Sequence, residues 1–131
     1  MKIDHINIAA PSALLEKVRD FYCTVLEMEE GFRPVFSSPG YWLYADDKPL
    51  IHLSECEGRR GAEHSGFLDH IAFRSNGLCA LMRRLANNGI EYRVNSVPEL
   101  NMTQLFFVDP ANNGLEVNFV DERPSKSGAV V

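Results

Sequence analysis

No stretch of this chain is rich in Lys or Arg, no apolar run approaches the roughly 18 residues a membrane span needs, and cysteine is scarce. Each shortage excludes something. The 13 Lys and Arg stand against 18 Asp and Glu, for a formal net charge of −5 and a pI near 5.3. That balance lacks the electrostatic footprint of a nucleic-acid or anionic-membrane binder. A small molecule is the expected partner. Cys23, Cys56 and Cys79 are widely spaced with no CxxC pair, which argues against a disulfide framework or thiolate zinc site and for reduced, structural thiols. Strand-like residues follow Met1 and Lys2 directly, which leaves no room for a signal peptide and makes the cytoplasm the expected location.

What the chain does have is 45% apolar and 24% charged residues over 131 positions, enough to bury a core, and a repetition. Residues 3 to 8 read IDHINI; residues 68 to 73 read LDHIAF. After the first comes Pro11-Ser12, a helix start, then ALLEKVRDFYCTVL with Leu14, Val18, Phe21 and Val25 at helical spacing. After the second comes Asn76, an expected cap, then GLCALMRRLANNG with Leu78, Leu81, Met82 and Leu85 on one stripe and Asn88-Gly89 as the stop. Three strand-like segments follow each helix: 32–36, 41–45 and 49–55 in the first half, and 90–94, 103–108 and 114–120 in the second. The EMEEGFR cluster at 27–33 reads as a solvated helix end and turn. The expected fold is therefore α+β, two βαβββ modules over 1–55 and 67–120, forming one domain over 1–120. The connector 56–66 is polar and without periodicity, with His64 a solvated loop residue among Arg59, Arg60 and Glu63, and the tail 121–131 is expected to be flexible.

Alternation along strands turns the repetition into a candidate site. His5 opposes Ile6 and Ile8. His52 opposes Ile51 and Leu53, His70 opposes Ile71 and Phe73, and Glu116 opposes Leu115 and Val117. Four ionisable side chains thus lie on faces turned away from the two amphipathic helices, where a sheet has no structural need of them. If the half-sheets curve and stand side by side, the four converge. Two or three His with one carboxylate is a ligand set for zinc, copper, iron or nickel, and the 2-His-1-carboxylate form suits non-haem iron(II). Gln104, Tyr44, Trp42 and Arg74 are candidates for a substrate pocket, with plain packing as the alternative for each.

DHINI, DHIAF, NNGIEY and FFVDPANNGLEVNF, with FY and VL in the first helix, resemble the vicinal oxygen chelate superfamily, the glyoxalase/bleomycin-resistance/dioxygenase family, over residues 1 to about 120. The resemblance implies paired βαβββ modules curled around a shared metal. The ligand positions, on the first and last strand of each module, are filled here by His5, His52, His70 and Glu116. It implies one divalent ion per site (Fe, Ni, Zn, Mn or Co), a substrate with vicinal oxygens, and a homodimer whose sites are shared between subunits. A glyoxalase-like lyase or isomerase would use Glu116 as ligand and general base. An extradiol-type dioxygenase would use His5, His70 and Glu116 as its iron triad, with His52 as acid or base. Bleomycin-binding relatives keep the fold without the ligands, so a non-catalytic binding protein is the further alternative.

Overall fold

Among the described residues are eight strands, two α-helices and one short 3-10 turn, Pro98–Leu100: β1 (Ile6–Ala10), α1 (Ser12–Thr24), β2 (Glu29–Gly31), β3 (Gly40–Ala45), β4 (Lys48–Glu55), β5 (His70–Arg74), α2 (Leu78–Asn87), β6 (Arg93–Val97), β7 (Met102–Val108) and β8 (Gly114–Val120). This computed structural model describes residues 1–57, 68 and 70–125. The connector from residue 58, including Arg59, Arg60, Glu63 and His64, and the tail beyond Ser125 lie outside the described residues. Contacts divide the chain into two units, Met1–Gly66 and Phe67–Val131. Among the described residues no helix is long and apolar enough to cross a membrane.

The two units repeat one topology, α+β with a four-stranded mixed sheet in each. The strand order is β1-β4-β3-β2 in the first and β5-β8-β7-β6 in the second. In each, the first strand pairs parallel with the last, and the other pairings are antiparallel. A parallel pair cannot be closed by a hairpin; the helix and two further strands make the crossover. Of the expected helix stripes Val18, Phe21, Val25, Leu78, Leu81 and Leu85 are buried, while Leu14 and Met82 are half-buried and Leu15 stands in the α1 core instead of Leu14. Leu15, Val18, Phe21 and Tyr22 of α1 are buried with Ile8, Leu43, Ile51 and Leu53 in the first unit, and Leu78, Leu81 and Leu85 of α2 with Leu105, Leu115, Val117 and Phe119 in the second.

Two strands differ from expectation, both at sheet edges. β2 is Glu29–Gly31, inside the charged segment read as a turn, and residues 32–36 are not a strand. Pro34 cannot donate to a ladder, and an edge strand exposed along its length needs no apolar alternation. Phe32, Val35 and Phe36 are exposed instead. β6 likewise begins at Arg93, later than the segment 90–94 expected, and is mostly exposed.

The start of α2 also has an unexpected cap. Gly77, at φ +86, is the N-cap, with no side-chain cap of its own. The backbone N–H groups of Gly77 and Leu78 donate to the Glu122 carboxylate at 2.9 and 2.7 Å. An anion satisfies orphan donors there and complements the helix dipole. Glu122 is itself tethered: its carbonyl accepts from Thr103 Oγ1 at 2.6 Å, and Asp121 and Arg123 both bond Asn101. The hairpin between β7 and β8 is pinned by buried Asp109, whose Oδ1 accepts from the Ala111 and Asn113 N–H groups at 2.9 Å each. This Asx-type turn sets the register that places Glu116. Glu122→Ala is expected to cost about 1 kcal/mol, seen as a lower urea midpoint with an unchanged m value. Glu122→Gln, which keeps an acceptor, is expected to lose less.

Candidate functional site

The second unit gathers its polar residues around Glu116. In register, Ala72 of β5 and Phe106 of β7 flank Glu116, while Arg74 and Gln104 flank Asn118. His70, Ala72 and Arg74 therefore share a face with Glu116, Asn118, Gln104 and Phe106. Glu116 is only 7% exposed, and both its oxygens are engaged. Oε2 lies 2.8 Å from His70 Nε2, and Oε1 accepts from Gln104 Nε2 at 2.6 Å. Gln104 also donates to Asn118 Oδ1 at 3.1 Å, and its own Oε1 accepts from Asn95 Nδ2 at 2.7 Å. Phe106 packs edge-on against His70 at 6.1 Å and carries the Arg93 guanidinium 4.5 Å from its centroid.

In the first unit a stack of rings occupies the equivalent face. His5, just before β1, lies on His52 with centroids 3.8 Å apart and an interplanar angle of 11°. His52 lies on Trp42 at 4.0 Å and 10°, and Phe36 tilts against Trp42 at 6.1 Å. The tautomers follow from the partners, because a carboxylate and a carbonyl only accept. His5 Nδ1 donates to Asp4 Oδ2 at 2.6 Å, which leaves its Nε2 lone pair open. His52 Nε2 donates to the Pro49 carbonyl at 3.1 Å, which leaves its Nδ1 open. The bond to His5 holds the Asp4 carboxyl below its ordinary value. Burial first, and the charge of neighbouring His5 second, push the His52 imidazole below its ordinary 6.5.

The two units match residue for residue at these positions. His5 stands two residues before Asn7, the register partner of His52; His70 stands two residues before Ala72, the register partner of Glu116. Trp42 opposes His52 as Phe106 opposes Glu116. Among the described residues no three His, Cys, Asp or Glu side chains are gathered as a metal-ligating group; each unit holds one pair. The second pair suits an ion. Its 2.8 Å donor separation is close to the roughly 3 Å between adjacent donors at right angles with bonds of about 2.1 Å. The first pair offers one ligand at most in this arrangement, because near-parallel stacked rings cannot both aim in-plane lone pairs at one point.

Of the pocket candidates, Trp42 stacks on His52 and Arg74 is exposed on the Glu116 face. Gln104 bonds Glu116 directly, and the Tyr44 hydroxyl donates to the Phe32 carbonyl at 2.6 Å. Asp4, Asn95 and Phe106 were not singled out from the sequence. Phe106 carried a signal, standing two positions from Gln104 on one strand. Asn95 carried none, since its contact depends on the register of an edge strand.

A duplicated βαβββ frame with a mixed four-stranded sheet in each half defines the fold class of the chain. The chain belongs to the Glyoxalase/Bleomycin resistance protein/Dioxygenase superfamily, whose family model matches residues 2–117. Among solved structures, a protein assigned to the glyoxalase family from Bacillus anthracis is similar at 25% identity and TM-score 0.71, with 92% of this chain and 95% of that one covered. A glyoxylase/bleomycin resistance protein/dioxygenase domain from Frankia sp. shares the fold at 22% identity and TM-score 0.73, covering 92% and 98%. So does a mutant of the fosfomycin resistance protein FosX from Listeria monocytogenes, complexed with Mn(II) and 1S,2S-dihydroxypropylphosphonic acid, at 17% identity and TM-score 0.68, covering 91% and 92%. No curated protein matches the chain.

The lowered His52 value has a sign. The unfolded chain binds the proton at higher pH than the folded one, so stability falls as pH drops below about 6.5 and the loss is complete below the folded value. Above that range the contribution vanishes. With chelator present, His52→Asn is expected to flatten this part of the stability profile measured by urea unfolding. Trp42 is the only tryptophan, so its fluorescence is expected to report the same titration. Quenching by the stacked imidazolium sets in with a midpoint below 6.5 and is absent in His52→Asn.

Proposed function

We propose that this protein is a metal-dependent enzyme that binds a small substrate through two adjacent oxygens, with a glyoxalase-like lyase or isomerase reaction. The observation that carries the reading is the matched two-residue offset of His5/His52 and His70/Glu116 in the two parallel strand pairs. An accident of surface chemistry would not recur at equivalent positions on two sheets. His5 Nε2, His70 Nε2 and Glu116 Oε2 are the proposed ligands of one divalent ion, Fe, Ni, Zn, Mn or Co. Bound there, the ion supplies Lewis-acid polarisation of the substrate oxygens.

The chain's own residues supply the rest. Asp4 fixes the His5 tautomer, as carboxylate partners of metal-bound histidines do. His52 stacks on His5 and sets its plane. With its proton affinity lowered, His52 presents an unprotonated Nδ1 at neutral pH and is the proposed base. Trp42 and Arg74 are the proposed substrate contacts, one apolar and planar, the other cationic. FosX, bound to Mn(II) and a vicinal diol, offers a precedent for this chemistry on the shared fold. The proposed assembly is a homodimer in which the first unit of one chain meets the second unit of its partner.

Elemental analysis and mass in solution test this together. About one divalent ion per chain in a dimer is expected. His5→Ala, His70→Ala and Glu116→Ala are each expected to lose at least nine-tenths of it, and His52→Ala to retain it while losing turnover. Iron, with oxygen uptake on catechols, would move the assignment to an extradiol-type dioxygenase; nickel or zinc, with hemithioacetal isomerisation, would support the favoured branch. Failure to take up any of these metals at micromolar concentration overturns the enzyme in favour of a non-catalytic binding protein, and a fully loaded monomer overturns the shared site.

A further inference from the structure

Beyond the four ionisable residues, the best-built polar feature of the second unit is a row of amides crossing three strands. Asn95 of β6, Gln104 of β7 and Asn118 of β8 are register partners in sequence. Hydrogen bonds run along the row from Asn95 Nδ2 to Gln104 Oε1 at 2.7 Å and from Gln104 Nε2 to Asn118 Oδ1 at 3.1 Å. The second Gln104 N–H leaves the row and donates to Glu116 Oε1 at 2.6 Å.

The donor inventory fixes the direction of this network. A carboxylate accepts only, and the Asn95 amide nitrogen donates only, so Gln104 cannot flip without facing donor to donor and acceptor to acceptor. Its Nε2 therefore stays on Glu116 Oε1. The remaining oxygen, Oε2, is left toward His70 Nε2 at 2.8 Å. A neutral amide also holds the carboxylate without cancelling its charge, as Lys or Arg would. Glu116 is thereby oriented through Oε1 without a cationic side chain at that oxygen.

We infer that Gln104 is a positioning residue that holds Glu116 as a single-oxygen ligand, with Asn95 locking the orientation of the Gln104 amide. The inference rests on the proposed metal reading and adds to it: Glu116 is a fixed ligand, not one that leaves the metal to carry protons, so proton transfer falls to another group. The side chain at 104 becomes a determinant of metal affinity and coordination geometry, not a substrate contact.

Titration of chelator-treated protein with Mn(II) and with Co(II) tests it. Gln104→Leu removes the donor while keeping bulk, and is expected to weaken both metals about 10- to 100-fold, the range typical of lost ligand-orienting bonds. The Co(II) complex reports geometry. A carboxylate released to bind through both oxygens raises the coordination number and lowers the visible d–d absorption, which a loss of stability alone would not do. Asn95→Ala, at an exposed position, is expected to shift both readouts in the same direction by less, and stands in if Gln104→Leu fails to fold. Wild-type affinity and spectrum in both variants would overturn the role of Gln104 and leave the metal reading intact. Absence of binding by the wild type would overturn both.

Discussion

The parallel pairing of first strand with last is the constraint on which each unit depends. Two strands 4.7–4.9 Å apart bring residues from opposite ends of a module onto one face, and a shift of a single residue would turn either onto the other face. In the first unit the pairing runs from Ile6↔Ile51 to Ala10↔Glu55, and in the second from His70↔Gly114 to Arg74↔Asn118. The apolar sides, buried Ile8 with Ile51 and Leu53 and half-buried Phe73 with buried Leu115 and Val117, resist such a shift through the apolar area it would expose. The core chemistry of one face thus enforces the polar geometry of the other. The hairpin pinned by Asp109 and the helix cap from Glu122 do the same work at the edges, fixing β8 against β7 and α2 against the end of β8.

Glu116 is the residue least explained by folding. Placing a carboxylate at 7% exposure costs several kcal/mol of lost hydration unless it is paired and hydrogen-bonded, and an apolar side chain there would pack without that cost. His70 and Gln104 offset part of it, each engaging one oxygen. The Asn95–Gln104–Asn118 row reaches this group through Gln104 alone. Two side chains on one buried carboxylate, His70 and Gln104, are what the proposed ligand role of Glu116 would call for.

The strands with one face turned to the core were legible in the sequence and the mostly exposed ones, β2 and β6, were not, for one physical reason. Alternation is written only where one face is buried, so β1, β4, β5 and β8 declared both their existence and their faces. With them came His5, His52, His70 and Glu116. β2 and β6 are exposed along most of their length; their residues answer to solvent, and the apolar FRPVF segment beside β2 read as the strand that EEG is. Asn76 read as the cap of α2, but the capping group is Glu122, distant in the chain, and no local pattern announces it. Gln104 was visible as a polar residue on the right face. Its bond to Glu116 was not, because that needs the β7–β8 register, which the Asp109 turn sets. The face-to-face stacking of His5 on His52 was equally hidden: alternation assigns a side chain to a face and says nothing of its ring plane.

The units share a frame but fill it differently. At one position the first holds His52, stacked between His5 and Trp42 and pushed toward the neutral form; the second holds Glu116. One unit offers imidazole edges and the other a carboxylate. On the proposed reading a divalent ion bound by two neutral histidines and one carboxylate keeps a net charge of +1. Such a centre still attracts an oxyanion or a polarisable carbonyl, which a second carboxylate at position 52 would discourage by cancelling that charge. On that reading the imidazole at position 52, which is not one of the proposed ligands, would leave the charge of the ion uncancelled. The proposed base would then stand beside that ion as an imidazole whose proton affinity burial has lowered.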